Sequence, residues 1–313
     1  MRAARLLALL ALGLLVALLS MSCGGGGGGE EGQRILVIDQ NILHGISDED
    51  PEAEEFERFA ERLRLIADAL ADAQPDIVLL QEVVGDPGPD YPNVRGELLT
   101  ALGSEYKAVF GNFLGEPIDG GGLGQMTFTR LPIVSSENRT VSAIRSAVRV
   151  TVQTDSGPLH LYNVHLEGTG AVLETGEDAE LLEIENVIAF IQETRDGGPV
   201  ILAGDLNAEP DDPSIQRLLQ EGFIDALAEA GDATCEQAGD PGCTSGTIPL
   251  GDNPDNLADH RIDYIFVLPG DDATVDVTEA SLFNNEPFGI GGGRLLWASD
   301  HIGVRAVVEL KAK

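Results

Sequence analysis

A chain of 313 residues with 43% hydrophobic content can bury one large core or two small ones. Its 53 acidic side chains against 19 basic ones give a formal net charge of -34, which keeps a protein soluble and repels polyanions at long range. Nucleic-acid binders carry a basic patch, and here neither Lys nor Arg occurs between Arg149 and Arg195. Duplex nucleic acid is therefore a disfavoured partner, although bound cations can screen an acidic surface.

Residues 1–22 read as a signal peptide. Arg2 and Arg5 precede an apolar run from Leu6 to Leu19, too short to span a membrane. The sequence Leu19-Ser20-Met21-Ser22-Cys23 resembles a bacterial lipoprotein signal with Cys23 as the acylated first residue, although Ser20 and Met21 depart from the usual pattern. Export is expected, with anchoring in the cell envelope through Cys23 or secretion if no lipid is attached. Losing Arg2 and Arg5 would move the net charge from -34 to about -36. Residues 23–33, with six glycines from Gly24 to Gly29, read as a flexible tether ahead of a domain over 34–313.

Arg34 to Ile42 is the first expected strand, and alternation aligns Val37, Asp39 and Asn41 on one face. A helix is expected from about Glu52 to Ala73, with Phe56, Phe59, Leu63, Ile66 and Leu70 at helical spacing. Ile77 to Val83 is a buried strand that closes on Glu82. Val94 to Leu102 reads as a short helix, followed by a strand from Tyr106 to Phe110 and a glycine loop over Gly120 to Gly124. A dinucleotide site is rejected there, because that fingerprint must open a helix and Met126 to Thr129 is β-prone.

Ala147 to Thr154 and Leu159 to Leu166 form an expected hairpin. In its second strand Leu159, Leu161, Asn163 and His165 share a face. A helix follows from about Ala179, with Leu182, Val187, Ile188 and Ile191 as its apolar stripe. Val200 to Ala203 is a buried strand that delivers Asp205 and Asn207 side by side before Pro210. A helix over about Pro213 to Glu221 comes next. Cys235 and Cys243 bracket a loop rich in Gly, Asp and Pro, and an exported chain permits a disulfide between them. Arg261 to Val267 is a strand with Asp263 inside it, and the chain closes with Ser299-Asp300-His301 and a strand from Gly303 to Leu310. No repeat and no linker divides residues 34–312, so one α/β domain is expected.

Asn41, Glu82, Asn163 with His165, Asp205 with Asn207, and Asp300 with His301 all lie at strand ends. Asp263 adds an acid that is costly to bury unless it is paired or bound to metal. The motifs Asn-Ile, Gln-Glu, Asn-x-His-Leu, Gly-Asp-x-Asn, Arg-Ile-Asp-Tyr and Ser-Asp-His, in this order, resemble those of the endonuclease/exonuclease/phosphatase superfamily. The resemblance covers nearly all of residues 34–312. It implies a four-layer α/β sandwich of two facing mixed β-sheets flanked by helices. It also implies hydrolysis of a phosphate ester with a divalent ion, Mg²⁺ or alternatively Mn²⁺ or Ca²⁺.

Carried onto this chain, the resemblance gives Glu82 and Asn41 as metal ligands, with Asp300 at the same ion or a second one. Asp205 would orient or deprotonate the attacking water, with Asn207 fixing the phosphate or that water. His301 would contact the phosphate with Asp263 holding its ring, and His165 would donate to the phosphate, supported by Asn163. Asp39 stands where the family more often has a hydroxyl residue, and adds a carboxylate on the face of Asn41. Arginines common after the His-Leu motif are absent, which counts against a long polyanionic substrate. His44 and His260 are expected to be solvated, Arg261 to pair with acids, and Tyr264 and Trp297 to pack. The substrate expected is a small or lipid-borne phosphodiester or phosphomonoester, and the protein a monomer. The alternatives are an extracellular nuclease and a binding module that has lost catalysis.

Overall fold

The computed structural model describes residues 32–44, 58–88, 91–115, 118–168, 179–247, 250–251, 255–291 and 293–313. The expected signal peptide, Cys23 and nearly all of the tether lie outside them, as does the start of the helix expected from Glu52. Gly32 to Lys313 form one compact unit.

Two six-stranded mixed sheets carry the fold. The first contains β1 (Gln33–Asn41), β2 (Ile77–Gly85), β3 (Lys107–Asn112), β4 (Gly122–Thr129), β12 (Ala273–Phe283) and β15 (Gly303–Ala312), in the order β12-β15-β1-β2-β4-β3. The second contains β5 (Ile133–Thr140), β6 (Ser146–Thr154), β7 (Gly157–His165), β8 (Val200–Asp205), β9 (Ile224–Asp225) and β11 (Asp263–Leu268), in the order β5-β6-β7-β8-β11-β9. At the centre of each sheet lies a parallel pair, β1 with β2 and β7 with β8, and the other pairings are antiparallel. A small third sheet joins β10 (Leu250–Gly251), β14 (Arg294–Leu296) and β13 (Phe288–Gly291).

Strand periodicity sorts the cores. Ile35, Val37, Ile77 and Leu79 from the first sheet meet Val148, Leu161, Ile201, Ala203 and Ile265 from the second in one inner core. Residues of opposite parity point outward: Ile38, Val78 and Leu80 pack with α1 (Phe59–Ala73) and α2 (Val94–Leu102). On the other side Tyr162, Leu202 and Phe266 pack with α3 (Ala179–Thr194) and α4 (Pro213–Gln220). The result is a four-layer α/β sandwich, the architecture that the sequence motifs imply. A last short helix, α5 (Ala226–Ala230), is capped by the Asp225 side chain, which accepts from the backbone of Leu227 and Ala228.

Several local expectations differ from the structure. Gly122 to Gly124 belong to β4 rather than to a loop. The strands β5, β12, β13 and β14 are not among the expected elements, although Ala273, Val275 and Val277 of β12 alternate with polar residues. In α3, Leu182 faces solvent while Glu183 is buried. Val187, Ile188 and Ile191 are buried as expected, and Glu183 joins that face by accepting from the Glu167 backbone N–H.

Candidate active site

The inner face of each central strand is apolar at one end and polar at the other. In β8 the inward parity of Ile201 and Ala203 continues to Asp205, and in β7 that of Leu159 and Leu161 continues to Asn163 and His165. Register completes the cluster, since Asp205 pairs with His165 on one side and with Asp263 on the other. The first sheet delivers Asn41 at the end of β1 and Glu82 in β2.

Glu82 is re-aimed by a bulge. The β2–β4 register shifts between Leu80 and Val83, and Glu82 takes a φ of +57°. Such a conformation costs on the order of 1–3 kcal/mol in a residue with a side chain, and it turns the carboxylate towards Asn41. Gly204, with a φ of +148°, has no substitute, because a Cβ there would lie 1.9 Å from the Val164 carbonyl oxygen. This close approach lets β7 and β8 present His165 and Asp205 as neighbours.

Asn41 Nδ2 donates to Glu82 Oε1 and to Asp205 Oδ2, both at 3.0 Å. Asp205 Oδ2 also lies 3.6 Å from His165 Nε2 and 3.7 Å from His301 Nε2. His301 Nδ1 donates to Asp263 Oδ2 at 2.9 Å. The Asn207 backbone N–H donates to Asp205 Oδ1 at 3.0 Å, and the Asn207 amide donates to Leu166 O. Six of the residues expected at the site therefore meet: Asn41, Glu82, His165, Asp205, Asp263 and His301.

Burial and charge set their protonation. Burial raises the Asp205 carboxyl to about 7, and the neighbouring Asp263 adds to the effect. Burial opposes the charged form of His301, yet Asp263 and Asp205 outweigh it and hold the imidazole well above its ordinary value. His165 goes the other way, held neutral by burial and by the Arg145 guanidinium. One charged and one neutral imidazole thus flank Asp205.

Three expected residues play other parts. Asn163 does not support His165: its amide donates to Leu80 O and Met126 O, and its oxygen accepts from Gln81 Nε2, so it ties β7 to the opposite sheet. Asp39 is fully buried on Gln81 Nε2, and burial with the like charge of Asp263 raises its pKa well above the ordinary value. It lies beneath the site, with burial opposing its charged form. The carboxylate of Asp300, next to His301 in the chain, accepts from Ser299 Oγ at 3.1 Å.

Other residues at the site carry no motif. His44, expected to be solvated, places Nε2 3.5 Å from Glu82 Oε2. Arg62 is fully buried in α1 and donates to Ile42 O, Leu43 O and Ala298 O, fastening the segments that follow Asn41 and precede Asp300. Its place in the α1 stripe was the one sequence signal, an arginine among core positions. The Phe113 ring meets His165 edge-on at 5.4 Å, and the Arg145 guanidinium lies over Phe113 at 4.9 Å. Arg145 itself pairs with Glu167 at 2.7 Å. His260 is exposed on Glu209, Arg261 pairs with Asp225, and Tyr264 and Trp297 are buried. Cys235 and Cys243 are joined by a disulfide.

The donor set fits a hard divalent cation. The partly exposed Glu82 carboxylate is the oxygen donor, and the buried Asn41 beside it turns its Oδ1 to the Leu43 N–H. Among the described residues, ligand atoms of Asp205, Asp263 and His301 also lie within 4.8 Å of one another. There, however, His301 Nδ1 is already engaged by Asp263, so this trio is better suited to proton and charge handling.

A sequence model of the Endonuclease/Exonuclease/phosphatase family matches residues 40–301. No curated protein sequence matches the chain. Among solved structures, an endonuclease/exonuclease/phosphatase family protein from Bacteroides thetaiotaomicron is 16% identical with a TM-score of 0.67, covering 90% of this chain and 98% of its own. A mannosyl-6-phosphatase from the same species is 18% identical with a TM-score of 0.64, covering 88% and 99%. D. rerio TDP2, humanized by 14 mutations, is 20% identical with a TM-score of 0.64 and the same coverage. These neighbours share the fold, and the match over residues 40–301 means that this chain belongs to the endonuclease/exonuclease/phosphatase family.

Proposed function

We propose that the protein is a metal-dependent phosphoesterase acting on a small or lipid-borne phosphate ester. The observation that carries this reading is the position of Asp205 between two imidazoles, with Asn41 joining it to Glu82. Glu82 and Asn41 would hold the cation, Mg²⁺ first and Mn²⁺ or Ca²⁺ in its place. When bound, such an ion neutralises phosphate oxygens and charge developing on the leaving group.

The side chains divide the remaining work. Asp205, with a pKa near neutrality, accepts a proton from the attacking water as its oxygen bonds to phosphorus. Asn41 and the Asn207 backbone fix the two oxygens of Asp205, so its free lone pairs face the substrate. Protonated His301, oriented by Asp263, stabilises the phosphorane oxygens. Neutral His165 offers a hydrogen bond from the other wall. The ester oxygen leaves as an alcohol after taking a proton from solvent water, and Asp205 returns the proton it took to solvent.

Export with a lipid on Cys23 belongs to the same reading, and mass spectrometry of membrane-extracted protein tests it. An unmodified soluble mature chain would leave simple secretion. For the chemistry, the test is hydrolysis of an aryl phosphodiester with and without chelator. Glu82→Ala should raise the metal concentration needed, and Asp205→Asn should lower kcat. Full activity in excess chelator rules out the metal-dependent reading. The related D. rerio TDP2 has been crystallised with a single-strand DNA product, so DNA belongs in the substrate panel.

A further inference from the structure

His301 and Asp263 reach each other from different sheets. Asp263 opens β11 in the second sheet, and His301 lies two residues before β15 in the first. The length of their hydrogen bond therefore depends on the separation of two layers that share no backbone ladder there. Something must hold that separation.

The segment Thr244 to Thr247 spans it. Thr244 is fully buried, and its Oγ1 accepts from the backbone N–H groups of Ile262 and Asp263, each at 3.1 Å. Its backbone N–H donates to His260 O at 2.6 Å, and its carbonyl accepts from the Ile302 N–H. One residue is thus hydrogen-bonded at once to the approach of β11 and to the residue after His301. Ser245 continues the clamp, with its Oγ 3.5 Å from His301 Nε2. Gly246 and Thr247 donate from their backbones to Asp300 O, and Thr247 Oγ1 donates to Ser299 O at 3.0 Å.

The disulfide enters the segment at its first residue. Cys243 immediately precedes Thr244, is bonded to Cys235, and is buried with Ala258, Trp297 and Ile302. The rest of this loop is rich in Gly, Asp and Pro and has few apolar anchors of its own. We infer that Thr244 is a positioning residue for the Asp263–His301 pair, and that the Cys235–Cys243 disulfide holds it in place across the two sheets. Thr244 touches no reacting atom and acts through the backbone of Asp263 and Ile302. The inference rests on the phosphoesterase reading for its kinetic consequence but not for its geometry.

The test compares Thr244→Val, which keeps shape and loses the hydroxyl, with Thr244→Ser, which keeps the hydroxyl. With an aryl phosphodiester and Mg²⁺, Thr244→Val should lower kcat, by up to on the order of 10²-fold if the pair shifts by about 1 Å. KM should change little, and Thr244→Ser should retain most of kcat. A second readout needs no substrate: the low-field proton NMR signal of His301 Nδ1–H, assigned by its loss in His301→Gln. It should broaden or shift in Thr244→Val and remain in Thr244→Ser. Reduction of the disulfide in the native chain, with thiols counted, should reproduce the Thr244→Val changes, and it decides the matter if Thr244→Val fails to fold. Unchanged kcat with an unchanged His301 signal in either the valine variant or the reduced chain overturns the inference. A wild-type chain without phosphoesterase activity but with a His301 signal that responds as expected would sink the functional reading and leave the positioning role standing.

Discussion

Asp263 accepts a hydrogen bond from His301 Nδ1 at 2.9 Å, and this contact joins the two sheets at the polar end of the sandwich. Its consequence is a cation beside Asp205 in a buried site. A lone buried imidazolium would lose its proton, and the paired carboxylates prevent that.

His301→Ala should therefore reduce kcat by about 10²–10³-fold, the range for loss of one preorganised donor. Asp263→Asn should cost less, because Asp263 orients the ring without touching substrate. Steady-state kinetics on one phosphodiester checks the order. A silent Asp263→Asn beside an inactive His301→Ala would mean that the pair does not act as one.

The pH profile follows from two opposite requirements. Asp205 works deprotonated and is raised to about 7, so activity rises with pH through the neutral range. His301 works protonated and is held above its ordinary value, so activity falls only on the alkaline side. Asp263 raises His301, and its replacement by Asn should move the alkaline limb to lower pH. Rate profiles of wild type and variant over pH 5–10 (roughly the span of carboxyl and imidazole titrations) test the sign.

Gly204→Ala should destabilise the fold by at least about 2 kcal/mol, since a positive φ and a backbone clash act together. Denaturant unfolding measures it. A loss below about 0.5 kcal/mol would mean that β7 and β8 can separate without cost.

Duplex DNA should be a poor substrate with a shallow response to salt. Each phosphate contact made by Lys or Arg contributes to a steep salt dependence, and a net charge of -34 leaves few such contacts. The measurement is kcat/KM for plasmid and small diester across NaCl at fixed Mg²⁺. Efficient nicking that falls steeply with salt would favour a nuclease.

Much of the site could be read from local order. Strand periodicity is a two-residue property, so the alignment of Asp39 with Asn41 and of Asn163 with His165 follows from the chain alone. By contrast, β8 ends at Asp205, and Asn207, at a φ of +53°, turns its side chain to Leu166 O. The intermixed strand and helix patterns give the α/β class, and the four layers are what the resemblance to the family implies. The motifs in their order then point to one family, whose sequence model matches residues 40–301.

What the chain alone could not decide depends on distance across sheets and on burial. Asp39 and Asp205 are the same residue type at equivalent strand parity. Yet Asp39 lies buried on Gln81, whereas Asp205 stands between two imidazoles. Arg145 is 20 residues from His165 in sequence and reaches it only through the fold of β6 against β7. Asn163 and Gln81 meet because two sheets face each other, and Glu82 turns into the site because a bulge shifts the parity of β2. Periodicity is written locally in the chain. Proximity between layers, and the dielectric that sets each proton, exist only once the two sheets have closed on each other.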